Sequence, residues 1–405
     1  MKVVQSIAST AILLCALAGC TKDSGPALGP QATTRSISNF PPVVDDDCGL
    51  PVAPDNQRVD LITPSFSNPL DADNPLFPVG ELDRVVLLGL SDGEPFRTET
   101  TRLAGAETIV INGTPVQTII SQYVAWTDRR IDEVALDWYG QDDEGHVWYF
   151  GEDVFNYDEG VVVDREGTWR AGEDFPVAMI MPNNPQVGDV WRPENACPVV
   201  FEEVTAIQIG LTVEGPSGPV GGALLVKELH MDATYEDKIF APGYGEFSTG
   251  SGQNIEALAL AIPTDFLGGS TPEDLEDLSD DAEDMFSLAR NGGWKQITAL
   301  FDEMAEDWHD YEATGVPPLL AAEMNTAIDA LDEAINGRDK GGARQAAVDI
   351  ALACLDFKLR YQDREDIDRE LIEVWTLQLQ IDRAAHDEGG IQSDLETIRI
   401  IRDRL

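Results

Sequence analysis

Between about Val59 and Ile262 the apolar positions come in short runs or alternate with polar ones, and Gly, Pro, Asn and Asp break the runs every few residues. That is the period-two signature of antiparallel strands. It is clearest over residues 84–90, 117–126, 132–139, 146–150, 201–213 and 223–235. Asp142-Asp143-Glu144-Gly145 separates two such runs and reads as a hairpin turn, with glycine where positive φ is needed. The pattern predicts one twisted, strongly curved antiparallel sheet or open barrel, with the preceding segment wrapped over it.

After Pro263 the apolar period becomes helical. Leu267-Gly268-Gly269-Ser270 falls in a linker. Thr271-Pro272-Glu273-Asp274 offers a capping hydroxyl, a first-turn proline and acids against the helix dipole. Stripes follow at Trp294, Ile297, Phe301, Met304, Trp308 and Tyr311, then from Leu320 to Ile335, Ile350 to Tyr361, Ile367 to Ile381 and Ile391 to Ile401. Asn336-Gly337 and Gly389-Gly390 are the expected stops. The fold class is α+β with the two kinds of element segregated: residues 46–265 a β domain, 266–271 a linker, and 272–405 an up-and-down helical bundle.

The chain starts with Met1-Lys2, an apolar stretch from Ile7 to Ala18, and Leu17-Ala18-Gly19-Cys20, the layout of a secretory signal. Its ending resembles the lipobox of bacterial lipoproteins. The resemblance implies cleavage after Gly19, lipidation of Cys20 and stable attachment to a membrane through several acyl chains. Thr21 after the cysteine favours the outer membrane if the cell is Gram-negative. Residues 20–45, rich in Ser, Gly, Pro, Thr and Ala, read as a lipidated flexible tether.

The formal charge of −47 becomes −48 once Lys2 leaves with the signal (−47 − 1). Such an excess argues against nucleic acid, whose binding needs Lys and Arg to displace counterions. Salt adaptation, divalent-cation binding and a basic partner are three explanations of the acidity. Of five cysteines, Cys15 leaves with the signal and Cys20 carries the lipid, so Cys48, Cys197 and Cys354 are left with unmodified thiols. Cys48 and Cys197 sit in polar loops of an exported chain and are the natural disulfide pair. Cys354, within an apolar helical run, is expected as a buried thiol.

Leu136-Asp137-Trp138-Tyr139-Gly140-Gln141-Asp142 and Gly145-His146-Val147-Trp148-Tyr149-Phe150-Gly151-Glu152, with Gly167-Thr168-Trp169, Met181-Pro182, Val187-Gly188-Asp189 and Ala241-Pro242-Gly243-Tyr244-Gly245, resemble a domain of uncharacterised secreted or lipid-anchored bacterial proteins. The resemblance covers roughly residues 136–246 and implies a fold and an export route, with no activity attached. The run Asp356-Phe357-Lys358-Leu359-Arg360-Tyr361, with Ile367-Asp368 and Trp375, resembles helical domains of other bacterial envelope proteins and carries no binding residue with it.

Candidate chemistry centres on the 142–145 hairpin. Period two groups Asp137 with Tyr139, and His146 with Trp148; if register aligned those faces, a carboxylate, an imidazole and aromatic rings would converge on a small polar ligand or sugar. Asp142, Asp143 and Glu144 offer oxygen ligands to a cation, without the spacing of a calcium loop. Packed aromatics and a solvated acidic turn are the simpler readings of both. Asp382 with His386, and Glu303 with Asp307 and Asp310, share helix faces but lack Glu-x-x-His. Nucleophile elbow, zinc-protease, phosphate-loop and Rossmann motifs are missing, and only four histidines are present. No catalytic residue is assigned and no cofactor is expected beyond a divalent cation. The leading expectation is a non-enzymatic envelope protein, membrane-bound through its lipid, that binds a small ligand or an envelope protein partner; a carboxylate-based cation-binding protein is second, and an envelope polysaccharide hydrolase third.

Overall fold

The computed structural model describes residues 44–45, 48–172 and 175–405. The signal, Cys20 and most of the tether lie outside the described residues. Two short strands, β1 (Val44–Asp45) and β2 (Pro51–Val52), pair near the start. The main sheet follows, with β3 (Arg84–Ser91), β4 (Glu94–Arg102), β5 (Glu107–Ile111), β6 (Thr114–Thr127), β7 (Arg130–Gln141), β8 (Val147–Asp158) and β9 (Val161–Asp164). Its second half holds β10 (Trp169–Arg170), β11 (Ala178–Met181), β12 (Val190–Ala196), β13 (Val200–Gly215), β14 (Gly218–His230), β15 (Tyr235–Ala241), β16 (Gly245–Ser251) and β17 (Asn254–Ile262). The path β10-β8-β7-β6-β4-β3-β17-β16-β15-β14-β13-β12 is antiparallel throughout, with β5 beside β6 and β9 and β11 beside β8.

Register shifts interrupt several pairs, among them β6–β7 at Ala125/Trp126, β7–β8 at Asp137/Tyr139 and β17–β3 at Leu258/Leu260. Each such bulge bends its strand and adds twist. The sheet accordingly curls until its two ends meet: the Trp191 indole on β12 donates to the Ile180 carbonyl on β11, 3.1 Å away. Gly151 marks the same curl on β8. Its φ is +121°, and a side chain there would strike the Trp169 carbonyl on β10.

The irregular segment before β3 lies across the curl, with Phe66, Leu76, Phe77 and Val79 packed on a cluster that includes Trp148, Met179, Met181, Trp191 and Phe240. Asn74 fixes it, accepting no slack: its side-chain amide donates to the carbonyls of Gly145 and Pro182 at 3.0 and 3.1 Å. Cys48 and Cys197 form a disulfide whose Cα atoms are 5.9 Å apart. The bridge ties the start of the described chain to the end of β12, beside the small cluster of Leu50, Val52, Phe201 and Leu229.

Six helices complete the chain: α1 (Glu273–Asn291), α2 (Trp294–Glu312), α3 (Pro318–Gly337), α4 (Lys340–Lys358), α5 (Arg364–Ala385) and α6 (Glu388–Asp403). The helices α2 to α5 bury the stripes that their sequences predict, and Cys354 is buried among them. The expected stripe of α6 does not hold: Leu395 is exposed, and Ser393, Asp394, Thr397, Ile400 and Ile401 are buried instead. Two further local expectations fail. Thr271 does not cap α1; Pro272 occupies the cap position, and the Thr271 hydroxyl accepts instead from the Gln362 amide at 2.9 Å. Gly389-Gly390 does not end α5, which stops at Ala385 with His386 in the left-handed region. Those glycines form the first turn of α6, where Asp387 caps the Gly390 amide and a Cβ on Gly390 would collide with Arg130 and Asp382. Close packing, rather than chain breaking, requires them.

The helices share one core with the sheet. Val86, Val124, Trp126, Ile131, Val134 and Leu260, on the outer face of the curl, pack with Leu278, Phe286, Ile350, Phe357, Val374 and Trp375. Charge crosses this layer too. Asp368 on α5 receives Arg84 from β3 at 2.7 Å, Arg404 at 2.7 Å and Arg364 at 2.8 Å, all of them buried. Asp356 on α4 takes both ends of the Arg97 guanidinium at 2.6 and 2.7 Å. Arg97 and Arg404 reach Glu99 at 2.9 and 3.1 Å. Burial alone would raise the Glu99 carboxyl, but Arg84, Arg404 and Arg97 outweigh it and hold the group far below the usual carboxylate range.

Candidate functional site

Because side chains alternate across a strand, the residues between those on the helix-covered face point into the curl. On β4, Arg97, Glu99 and Thr101 belong to the outer face, whereas Thr98, Thr100 and Arg102 line a cavity of about 350 Å³ inside. The cavity wall carries nine carboxyl side chains, among them Glu133, Asp137, Glu202, Glu228 and Glu256, against Arg102, Lys238 and His230.

Antiparallel register arranges these groups in rungs. Arg102 pairs with Ser121, Ser121 with Asp137, and Asp137 with Glu152, running from β4 across β6 and β7 to β8. From the other end of the sheet Glu194 pairs with Glu202, and Glu202 with His230, across β12, β13 and β14. Where the ends meet, the Glu152 and Glu194 carboxyls share a hydrogen bond, and burial raises both well above the usual carboxylate range. The two rungs thus meet as one polar belt inside the curl.

Burial dominates the electrostatics here. It pushes Glu133 up to about 8 with help from Asp137, Asp132 and Glu256. Asp137, whose Oδ1 accepts from the Tyr149 hydroxyl at 2.7 Å, rises to about 7 for the same reason. Glu256 rises to about 8 through burial and Glu246. Glu228 rises to about 8 through burial and Glu202, despite Lys238. His230 moves the other way from what burial alone would do: Glu202, 3.4 Å from Nδ1, and Glu236, 3.6 Å from Nε2, raise it to about 10. Burial likewise opposes the lowering of Glu202, but contacts with His230, Glu228 and Lys238 prevail.

Asp137 and Tyr139 line the cavity, and Tyr139 stacks on Tyr149 with ring centroids 4.7 Å apart. His146 and Trp148 do not join them, because the register sets Tyr139 opposite Tyr149 and Gly140 opposite Trp148. Trp148 is core, and its indole donates to Asp142 Oδ2 at 2.8 Å. His146 Nδ1 accepts from the Asn183 amide at 3.0 Å. Asp142 Oδ1 also accepts from the backbone amides of Glu144 and His146, both at 2.9 Å, so its carboxylate closes the hairpin. Asp143 binds the Ser65 hydroxyl and the Ser67 amide, each at 2.8 Å, pinning the segment before β3. Glu144 stands outward, 3.8 Å from His146. In the helical layer, Asp382 pairs with Arg130 at 3.0 Å, and His386 caps α5.

Glu133, Glu202, Glu228, His230, Glu236, Lys238 and Glu256 are cavity residues that pattern reading passes over. Their signal is faint but present: along β14, Leu224 and Val226 continue as Glu228 and His230 on the same face, an apolar stripe that turns polar before the strand ends. No protein-family model, curated protein or solved structure matches this chain. No helix among the described residues is long and apolar enough to cross a membrane.

Proposed function

We propose that the chain is a lipid-anchored protein of the cell envelope that binds a small cationic ligand inside its curled sheet and does not transform it. The observation that carries this reading is the acidic excess of the cavity wall, nine carboxyls against three basic groups around about 350 Å³. Like charges held together away from water raise one another's free energy, and the wall answers by holding protons. A cation entering the cavity displaces those protons and stabilises the ionised carboxyls, so affinity follows from charge already in place. The volume suits a small molecule or an ion.

Two further features support a binding role. The Glu152 and Glu194 carboxyls lie against each other, and an oxygen of Glu202 lies within 4.8 Å of one of Glu228. Glycoside cleavage uses carboxyl pairs separated by about 5–5.5 or 6.5–9.5 Å, with the sugar oxygen or water between. The signal-like start with Cys20 and the Cys48–Cys197 disulfide both fit an oxidising, extracytoplasmic compartment.

Thermal unfolding of the detergent-solubilised, metal-stripped full chain tests the reading. At constant ionic strength, spermidine or a divalent cation at micromolar concentration is expected to raise the melting temperature selectively. A rise that tracks ionic strength alone, whatever the ion, would assign the acidity to surface solvation and remove the proposal. Cys20→Ala is expected to release the chain from the membrane fraction; continued sedimentation with membranes would refute the lipid anchor.

A further inference from the structure

We propose that Glu202, Glu228 and His230 form a site for one first-row divalent cation on the wall of the curled sheet. This rests on the cation-binding reading of the cavity and specifies the occupant. Glu202 on β13 is the register partner of His230 on β14, and Glu228 precedes His230 by two residues and so shares its face. One donor atom from each lies within 4.8 Å of the others. Metal–donor bonds of about 2.0–2.2 Å bring donors around a common ion somewhat closer than that, an adjustment within reach of glutamate side chains.

Glu228 supplies an independent sign that something belongs there. Its side chain is 1% exposed, it faces the cavity, and neither carboxylate oxygen has a hydrogen-bond donor. Lys238 Nζ lies 3.1 Å from Oε2, near enough for an ion pair yet out of hydrogen-bond alignment. The other close neighbour of Glu228 is Glu202, a like charge. Buried carboxylates are ordinarily satisfied by several donors, and a metal ion bound at Oε1 or Oε2 does the same. Lys238 keeps Glu246 at 3.8 Å as a counterion when a metal takes Glu228.

The donor set selects the ion. Two carboxylates and one imidazole suit Zn²⁺, Mn²⁺ or Fe²⁺, whereas Ca²⁺ and Mg²⁺ prefer oxygen alone. Three protein donors leave a coordination position open to the cavity. Metal and protons compete for the same atoms.

Calorimetric titration of the metal-stripped full chain in detergent at pH 8, with Zn²⁺, Mn²⁺, Ca²⁺, Mg²⁺ and separately spermidine, tests the assignment. One Zn²⁺ per chain is expected, bound more tightly than Ca²⁺ or Mg²⁺, with Glu228→Gln and His230→Gln each weakening it by at least about tenfold. Asp143→Asn, in the hairpin turn, leaves it unchanged. If spermidine binds and Zn²⁺ does not, the metal site is overturned while the cation reading stands; if neither binds, both fall. Equal Zn²⁺ affinity in the two cavity variants places the ion elsewhere and overturns the assignment. Should those variants misfold, X-ray absorption of the Zn²⁺-loaded wild-type chain decides: one imidazole with oxygen donors is expected, and a shell without imidazole refutes it.

Discussion

Glu133, Asp137 and Glu256 give the clearest consequence at the scale of single residues. Glu133 and Glu256 are raised to about 8 and Asp137 to about 7, all by burial first. Their surroundings are mostly acidic: Asp132 and Asp137 beside Glu133, Glu152 and the Tyr149 hydroxyl beside Asp137, and Glu246, Glu236, Lys238 and Thr98 beside Glu256. A carboxyl whose folded-state value lies above its unfolded one keeps more protons folded than unfolded, so stability falls as pH rises through that interval. His230, raised to about 10, acts in the same direction above neutrality, since its stabilising charge is lost as pH rises through that value. Glu99 and Glu236, lowered by their partners, stabilise above the normal carboxylate range and lose that contribution in acid. Urea unfolding of the metal-stripped chain is therefore expected to show greatest stability near pH 5 and a decline toward pH 8. The double variant Glu133→Gln with Glu256→Gln should flatten that decline. A stability that rises steadily from pH 5 to pH 8 would contradict the assignment.

The elements show two opposite treatments of buried charge on the two faces of the same strands. Outside, Asp368 balances Arg84, Arg364 and Arg404, with the Arg84 and Arg404 side chains fully buried. Asp368→Asn leaves three guanidiniums without their shared counterion and is expected to cost about 3–5 kcal/mol. Arg404→Ala, one residue from the end of the chain, should cost a comparable amount; a loss below about 1 kcal/mol for both, measured by urea unfolding, would show that the cluster is solvated. At the strand ends, replacing Cys48 and Cys197 by serine is expected to cost about 2–5 kcal/mol, and unchanged stability in reducing and oxidising buffer would refute a structural bridge. Element type was legible from period: the β stretch, the 142–145 turn and the apolar stripes of α2 to α5 stand where residue spacing places them, whereas α6 buries Ser393, Asp394 and Thr397 in place of Leu395. Which face of which strand points inward was not. Asp137 and His146 fall on different faces because the pairing beside the turn sets Tyr139 opposite Tyr149 and Gly140 opposite Trp148, a register that the period of each strand alone does not specify. Glu202 and His230 lie 28 residues apart (230 − 202) and meet only through strand pairing.

Across the whole molecule, six helices cover the outer face of a sheet that curls until β11 meets β12, and the inner face keeps an acidic cavity. Composition reveals the excess of acid but not its location, since exposed carboxyls on α1 and α2 and buried ones in the curl contribute alike to −47. The central claim is that the interior acids, rather than those surface acids, bind the cation. Cation-induced change in melting temperature, at pH 8 and fixed ionic strength, should be compared in two double variants: Glu202→Gln with Glu228→Gln in the cavity, and Glu303→Gln with Asp307→Asn on α2. The cavity variant is expected to lose most of the response and the helix variant to retain it. Retention in the cavity variant with loss in the helix variant would contradict the account.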